Sequence, residues 1–155
     1  MSGDALDDTR WMREALAEAR LALSHADVPI GAVAVLEGRV VGRGHNEREL
    51  RQDPTAHAEV LALQAASRSL GTWYLTGVTL FVTLEPCAMC AGAIVLARVA
   101  RVVWAADDPK AGAGGSVLNV LAEPKLNHHP EITRGLLADD AANLLREFFG
   151  NLRKS

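Results

Sequence analysis

Val78-Thr79-Leu80-Phe81-Val82-Thr83-Leu84-Glu85-Pro86-Cys87-Ala88-Met89-Cys90-Ala91-Gly92-Ala93-Ile94-Val95-Leu96-Ala97 decides the fold. Val78–Leu84 is an unbroken β-branched and aromatic run, the pattern of a buried strand. Glu85-Pro86 then opens a helix across Cys87–Ala97, with Pro86 suited to its first turn. A further apolar strand at Arg101–Ala105 completes a βαβ signature.

The rest of the chain alternates in the same way. Trp11, Met12, Ala15, Leu16 and Ala19 recur at helical spacing, predicting a first helix from about Asp8 to Ser24. Ile30–Leu36 and Arg39–Gly44 flank Glu37-Gly38, a tight turn, and predict a β-hairpin. A polar loop follows over Asn46–Pro54. The helix Ala56–Leu70 comes next, with Thr55 as N-cap and Gly71 as its stop. Beyond the βαβ unit come a Gly-rich loop over Asp107–Gly115, one helical turn within Val117–Leu121, a last strand around Ile132, and an amphipathic helix Ala138–Leu152. The sum is an α/β domain with helices covering a central sheet.

With 155 residues, 49% of them hydrophobic, the chain suits a single domain over 1–155. At this size folding buries roughly 70% of the unfolded surface, so a core needs no metal or disulfide staple. A metal, if bound, is free to serve chemistry. Two cysteines, three positions apart, do not make a disulfide framework and suit a reducing cytoplasm. The acidic start has no signal-peptide h-region, and no apolar run reaches membrane-spanning length. A net charge of −3 argues against a protein that coats nucleic acid by broad phosphate neutralisation. The last ten residues, with Arg146, Arg153 and Lys154 against one Glu147, still allow a small basic patch.

Chemistry concentrates in His57-Ala58-Glu59 and Pro86-Cys87-Ala88-Met89-Cys90, each at a helix start. Helix N-termini favour thiolates, because free backbone N–H groups and the helix dipole stabilise negative charge. Cysteines at i and i+3 can chelate one ion, and His57 makes the set Cys2His, the supply of a catalytic zinc with one open position. Two thiolates and a neutral imidazole balance the charge of Zn2+. Glu59 would then contact the activated water without being a ligand. In mid-helix its two-residue offset from His57 points the side chains about 200° apart, an objection that weakens at a first turn. Other readings of the same residues are a Cys-x-x-Cys redox pair, and a structural zinc that recruits His45, His128 or His129. His25, His128 and His129 otherwise read as ordinary loop residues.

His-x-Glu followed by Pro-Cys-x-x-Cys resembles the zinc nucleobase-deaminase signature. Asp53–Glu59, Thr83–Ala93 and Asp108–Ala113 extend that resemblance to the bacterial tRNA-specific adenosine deaminases, in the cytidine/deoxycytidylate deaminase superfamily, over about Trp11 to Phe149. The resemblance implies a three-layer α/β/α fold with a five-stranded mixed sheet, a cytoplasmic homodimer, and one zinc per subunit. It also implies hydrolysis of adenosine to inosine at the wobble position of a tRNA anticodon, in an arginine tRNA with an ACG anticodon.

On matching positions His57, Cys87 and Cys90 would hold zinc and Glu59 would shuttle protons. Asn46 would hydrogen-bond the flipped base between Ile30 and His57, Asp108 and Lys110 would contact sugar and phosphate, and Phe149 and Arg153 the rest of the anticodon loop. Taken alone, Asn46 reads as a turn residue, Phe149 as core and Arg153 as solvated. The chain ends without the longer basic tail of some family members. A free guanine or cytosine deaminase would share the same ligands and glutamate, and a catalytically silent zinc-stabilised RNA-binding module is a further reading.

Overall fold

Glu37 and Gly38 both take positive φ, 50° and 77°, the backbone that folds two strands tightly on each other. They join β1 (Gly31–Leu36) to β2 (Arg39–His45) as the expected antiparallel hairpin. The computed structural model describes residues 2–154, with side chains from Asp7 onward.

A helix α1 (Ser2–Leu21) precedes the hairpin, six residues longer at its start than periodicity indicates. It passes into a 3-10 turn over Ala22–His25, closed by Ala26 in the left-handed region. The segment expected as pure loop after β2 holds a short helix α2 (Arg48–Arg51), because Asp27, distant in sequence, accepts the N–H groups of Glu49 and Leu50. Then follow α3 (Ala58–Leu70), β3 (Thr79–Leu84), α4 (Ala88–Leu96), β4 (Arg101–Ala106), a 3-10 turn (Val120–Ala122), β5 (Glu131–Arg134) and α5 (Ala138–Lys154).

The sheet order is β2-β1-β3-β4-β5. β1 pairs antiparallel with β2 and β3, while β3, β4 and β5 run parallel, so the sheet is mixed as expected. Strand alternation splits the core in two. Ala32, Ala34, Leu80, Val82, Val102 and Trp104 face α3 and α4 with Ala62, Ala66 and Ile94. Val33, Val35, Phe81, Val103 and Ala105 face the other way, toward Trp11, Met12 and Leu16 of α1 and Ala141 of α5. Helix layers thus cover both faces.

Two glycines set where α3 lies. A Cβ on Gly42 or Gly44 would come closer than 3.0 Å to the backbone of Ala62 and Ala66 or of Ala58 and Ala62, so only glycine lets β2 and α3 approach so closely. That contact brings the N-terminus of α3 to the same end of the sheet as α4.

Candidate functional site

The residue that begins each of these helices is a potential ligand. His57 is the N-cap of α3 with φ −82° and ψ 151°, and Cys87 is the N-cap of α4 with φ −76° and ψ 179°. Both are extended, not helical. Thr55, expected as the cap, instead bonds Asp53 through its N–H and hydroxyl, and Pro86 lies just outside α4 and not in its first turn. The extended backbone of His57 answers the objection to Glu59. His57 does not follow the helical phase of its neighbours, so it and Glu59 converge on one cleft.

The imidazole Nδ1 of His57 lies 3.6 Å from Cys87 Sγ and 3.6 Å from Cys90 Sγ. A tetrahedral zinc with ~2.3 Å bonds to sulfur and ~2.1 Å to nitrogen spaces N and S about 3.6 Å apart. The three donors therefore fit zinc. His45, His128 and His129 stay elsewhere: His45 pairs with Glu18, and His128 and His129 bond the carbonyls of Val99 and Glu123. Among the described residues the group at this point is His57, Cys87 and Cys90 and no fourth histidine or cysteine.

The protonation of the cluster is shared. A hydrogen bond from Cys90 holds Cys87 far below the ordinary thiol range, at about 3, with His57 adding to it. The bond to Cys87 raises His57, and the thiol of Cys90, donor in the same contact and buried, is pushed up. Protons shared among three groups at one point are what a divalent cation displaces when it binds. Glu59 is 4% exposed, and burial pushes its carboxyl up to about 7.

A cleft of about 150 Å³ opens onto this cluster. His57, Glu59 and Cys87 line it together with Val28, Ile30, Asn46, Arg48, Leu84, Glu85, Asp108 and Ala111. Asn46 is 6% exposed; its Nδ2 donates to the Val28 carbonyl and its Oδ1 accepts from the Arg48 N–H, so it braces the loop that it also presents to the cleft. Asp108 folds its own turn by accepting the N–H groups of Lys110 and Ala111. Lys110 is exposed beside it. Phe149 and Arg153 lie exposed on α5 and do not line the cleft.

In the sequence Glu85 reads only as part of the opening of the helix after β3, and its burial is new. It is 2% exposed and accepts four hydrogen bonds: from the N–H of Asp108 (3.0 Å), Gly114 (2.9 Å) and Ser116 (3.1 Å), and from the Ser116 hydroxyl (2.5 Å). Burial raises its pKa, but these donors outweigh it and the net shift is downward. Gly112 has to be glycine, since a Cβ there would collide with the carboxylate. The signal in sequence was a glutamate at a strand end paired with glycines 27 and 29 residues later.

Comparison with known proteins agrees with this geometry. Residues 6–153 match the model of the MafB19-like deaminase family. The chain is 49% identical over 147 residues to a tRNA-specific adenosine deaminase of Bacillus subtilis (strain 168), covering 95% of this chain and 91% of that one. It is 46% identical over 145 residues to the tRNA-specific adenosine deaminase of Aquifex aeolicus (strain VF5), covering 94% and 95%. A solved structure from work on A-to-I editing by tRNA:A34 deaminases at the wobble position superposes with a TM-score of 0.85 at 44% identity, covering 88% of this chain and 99% of that chain. A guanine deaminase from Nitrosomonas europaea superposes at 0.80 with 28% identity, covering 92% and 84%. With extended, metal-competent N-caps on α3 and α4 and relatives this similar along nearly their whole length, the chain belongs to the MafB19-like deaminase family, among the tRNA-specific adenosine deaminases.

Proposed function

We propose that this protein hydrolyses adenosine to inosine at position 34, the wobble position, of a tRNA anticodon. The observation that carries the proposal is the meeting of His57, Cys87 and Cys90 at one point, with His57, Cys87 and buried Glu59 lining one small cleft. His57 Nδ1 and the sulfurs of Cys87 and Cys90 would hold one zinc. Zinc bound there lowers the pKa of a coordinated water and so supplies a hydrolytic nucleophile near neutral pH.

Glu59 moves the protons. Its carboxylate accepts one from the attacking water as the C6–O bond forms, returns it to ring N1, and delivers the second to the departing amino group. The C6–N bond breaks, ammonia leaves, and the C6 carbonyl of inosine remains. Burial raises the Glu59 carboxyl above the ordinary carboxylate range, which suits a group that must both take and give a proton. Ile30 and His57 would flank the flipped base, and Asn46 would offer its amide to the base edge. The cleft's small volume suits a single base. Asp108, which lines the cleft, and exposed Lys110 would contact sugar and phosphate, and Phe149 and Arg153 on α5 would meet bases and phosphates farther along the loop.

An arginine tRNA with an ACG anticodon is the substrate that the family resemblance favours, and a cytoplasmic homodimer the working form. The apolar, exposed Trp73 and Leu96 beside α3 and α4 give a second copy a surface to cover. No described helix is long and apolar enough to cross a membrane.

The test is deamination of an anticodon stem-loop carrying adenosine at the wobble position, beside free adenine, guanine and cytosine, before and after chelation. Inosine in the RNA alone, lost on chelation and restored by zinc, is the expected result. Ammonia from guanine alone would transfer the chemistry to a free base.

A further inference from the structure

Away from the cleft floor, His25, His45 and Glu47 bring their ligand atoms within 4.8 Å of one another. The two imidazoles lie 5.4 Å apart between ring centres, tilted by 30°. Each has its Nδ1 engaged by a carboxylate: His25 with Asp27 at 2.7 Å and His45 with Glu18 at 3.2 Å. A carboxylate can only accept, so both Nδ1 atoms carry the hydrogen, and in each neutral ring the lone pair is on Nε2. The Nε2 of His45 is 4.0 Å from a carboxylate oxygen of Glu47. The Nε2 of His25 is buried and has no hydrogen-bond partner. Buried polar nitrogens are nearly always partnered, so this one needs an occupant.

We propose that His25 Nε2, His45 Nε2 and Glu47 form a second metal site, for a divalent transition ion of the zinc type. The donor set, two imidazoles and a carboxylate, suits such an ion and not a calcium or magnesium site built of oxygens. Imidazoles that ligate metal almost always give their other N–H to a carboxylate, and Asp27 and Glu18 already occupy those positions. The site is separate from the Cys87–Cys90 cluster and does not depend on the reaction assigned to it. An ion held there would tie the turn before β1 to the end of β2, the two segments that carry Ile30 and Asn46 into the cleft.

Full-length protein dialysed to equilibrium against micromolar zinc, with metal counted by atomic emission, tests this. Two ions per chain are expected in the unaltered protein. Glu47→Ala and the double variant His25→Gln/His45→Gln should each hold one; Glu47→Ala leaves both imidazole–carboxylate pairs intact and guards against simple misfolding. With cobalt, the ion lost from these variants should be the one without thiolate charge-transfer absorption. One ion per chain in the unaltered protein, or two in Glu47→Ala with the fold confirmed by circular dichroism, would overturn the proposal.

Discussion

Glu59 combines full burial with a raised pKa, and its removal separates binding from turnover. Glu59→Gln keeps the shape and a hydrogen-bonding amide but cannot carry a proton. Its turnover on the stem-loop should fall by about 10²–10⁴, with zinc content unchanged by atomic emission. Cys87→Ala should lose the ion itself. Asp27, 0% exposed, is held by a different balance. Burial raises its pKa, yet the N–H groups of Glu49 and Leu50 and the His25 ring lower it below the ordinary value. A depressed carboxyl stabilises the fold above its unfolded pKa, ~3.9, and that contribution fades as pH falls toward the folded value. Asp27→Asn should therefore destabilise by about 1–3 kcal/mol at pH 7. In urea titrations the gap between variant and parent should narrow below about pH 4.

Among the elements, the loop from Asp108 to Ser116 has little regular structure to hold it, and Glu85 substitutes for a ladder. One buried carboxylate gathers three backbone N–H groups and one hydroxyl across 31 positions of sequence. Glu85→Gln would turn an NH2 group toward backbone donors whichever way its amide faces. Leaving such donors unmet costs about 1–3 kcal/mol, or a fall in Tm of about 2–4 °C for each kcal/mol at this chain length. Amide exchange at 108, 114 and 116 should quicken while the strand amides stay protected. KM for the stem-loop should rise more than kcat falls, because Asp108 loses its position while Glu59 keeps its own. Unchanged exchange in the loop would show that Glu85 does not brace it.

Across the whole molecule, the two helix layers leave different surfaces. α1 and α5 close one face of the sheet, and Arg101 ties α1 to the sheet through Asp8 at 2.7 Å and reaches Thr133 on β5. On the opposite layer Leu96 is 70% and Trp73 64% exposed, beside the half-exposed Tyr74. Large apolar side chains grouped this way mark interfaces. Leu96→Glu places a charge in that patch at no cost to the core, so if the proposed homodimer forms there, sedimentation should report a shift from dimer toward monomer with the melting of the single chain little changed. A protein that sediments as a monomer before substitution would remove the patch from consideration.

The candidate metal-ligand set, which the fold brings to one point, could be picked out because its pieces are local. His-x-Glu and Pro-Cys-x-x-Cys are short-range patterns, and their helix-start positions follow from the apolar periodicity after each one. The hairpin turn at Glu37-Gly38 and the strand-to-helix step at Glu85-Pro86 were legible for the same reason: turn chemistry and hydrophobic period act between near neighbours, whereas the three-layer order came from the family resemblance. Long-range contacts were not. Thr55 looked like a cap because capping statistics favour threonine, but Asp53 claims it and His57 takes the position. The α2 turn exists because Asp27 reaches it from 22 positions away, and the 108–116 loop because Glu85 reaches it from as far as 31. Sequence alone determined which residues could do chemistry and which elements would carry them. Only the tertiary structure decided that they share a cleft, that Glu59 is buried there and that His25 meets His45, since a buried polar contact between distant residues leaves no periodic trace in the chain.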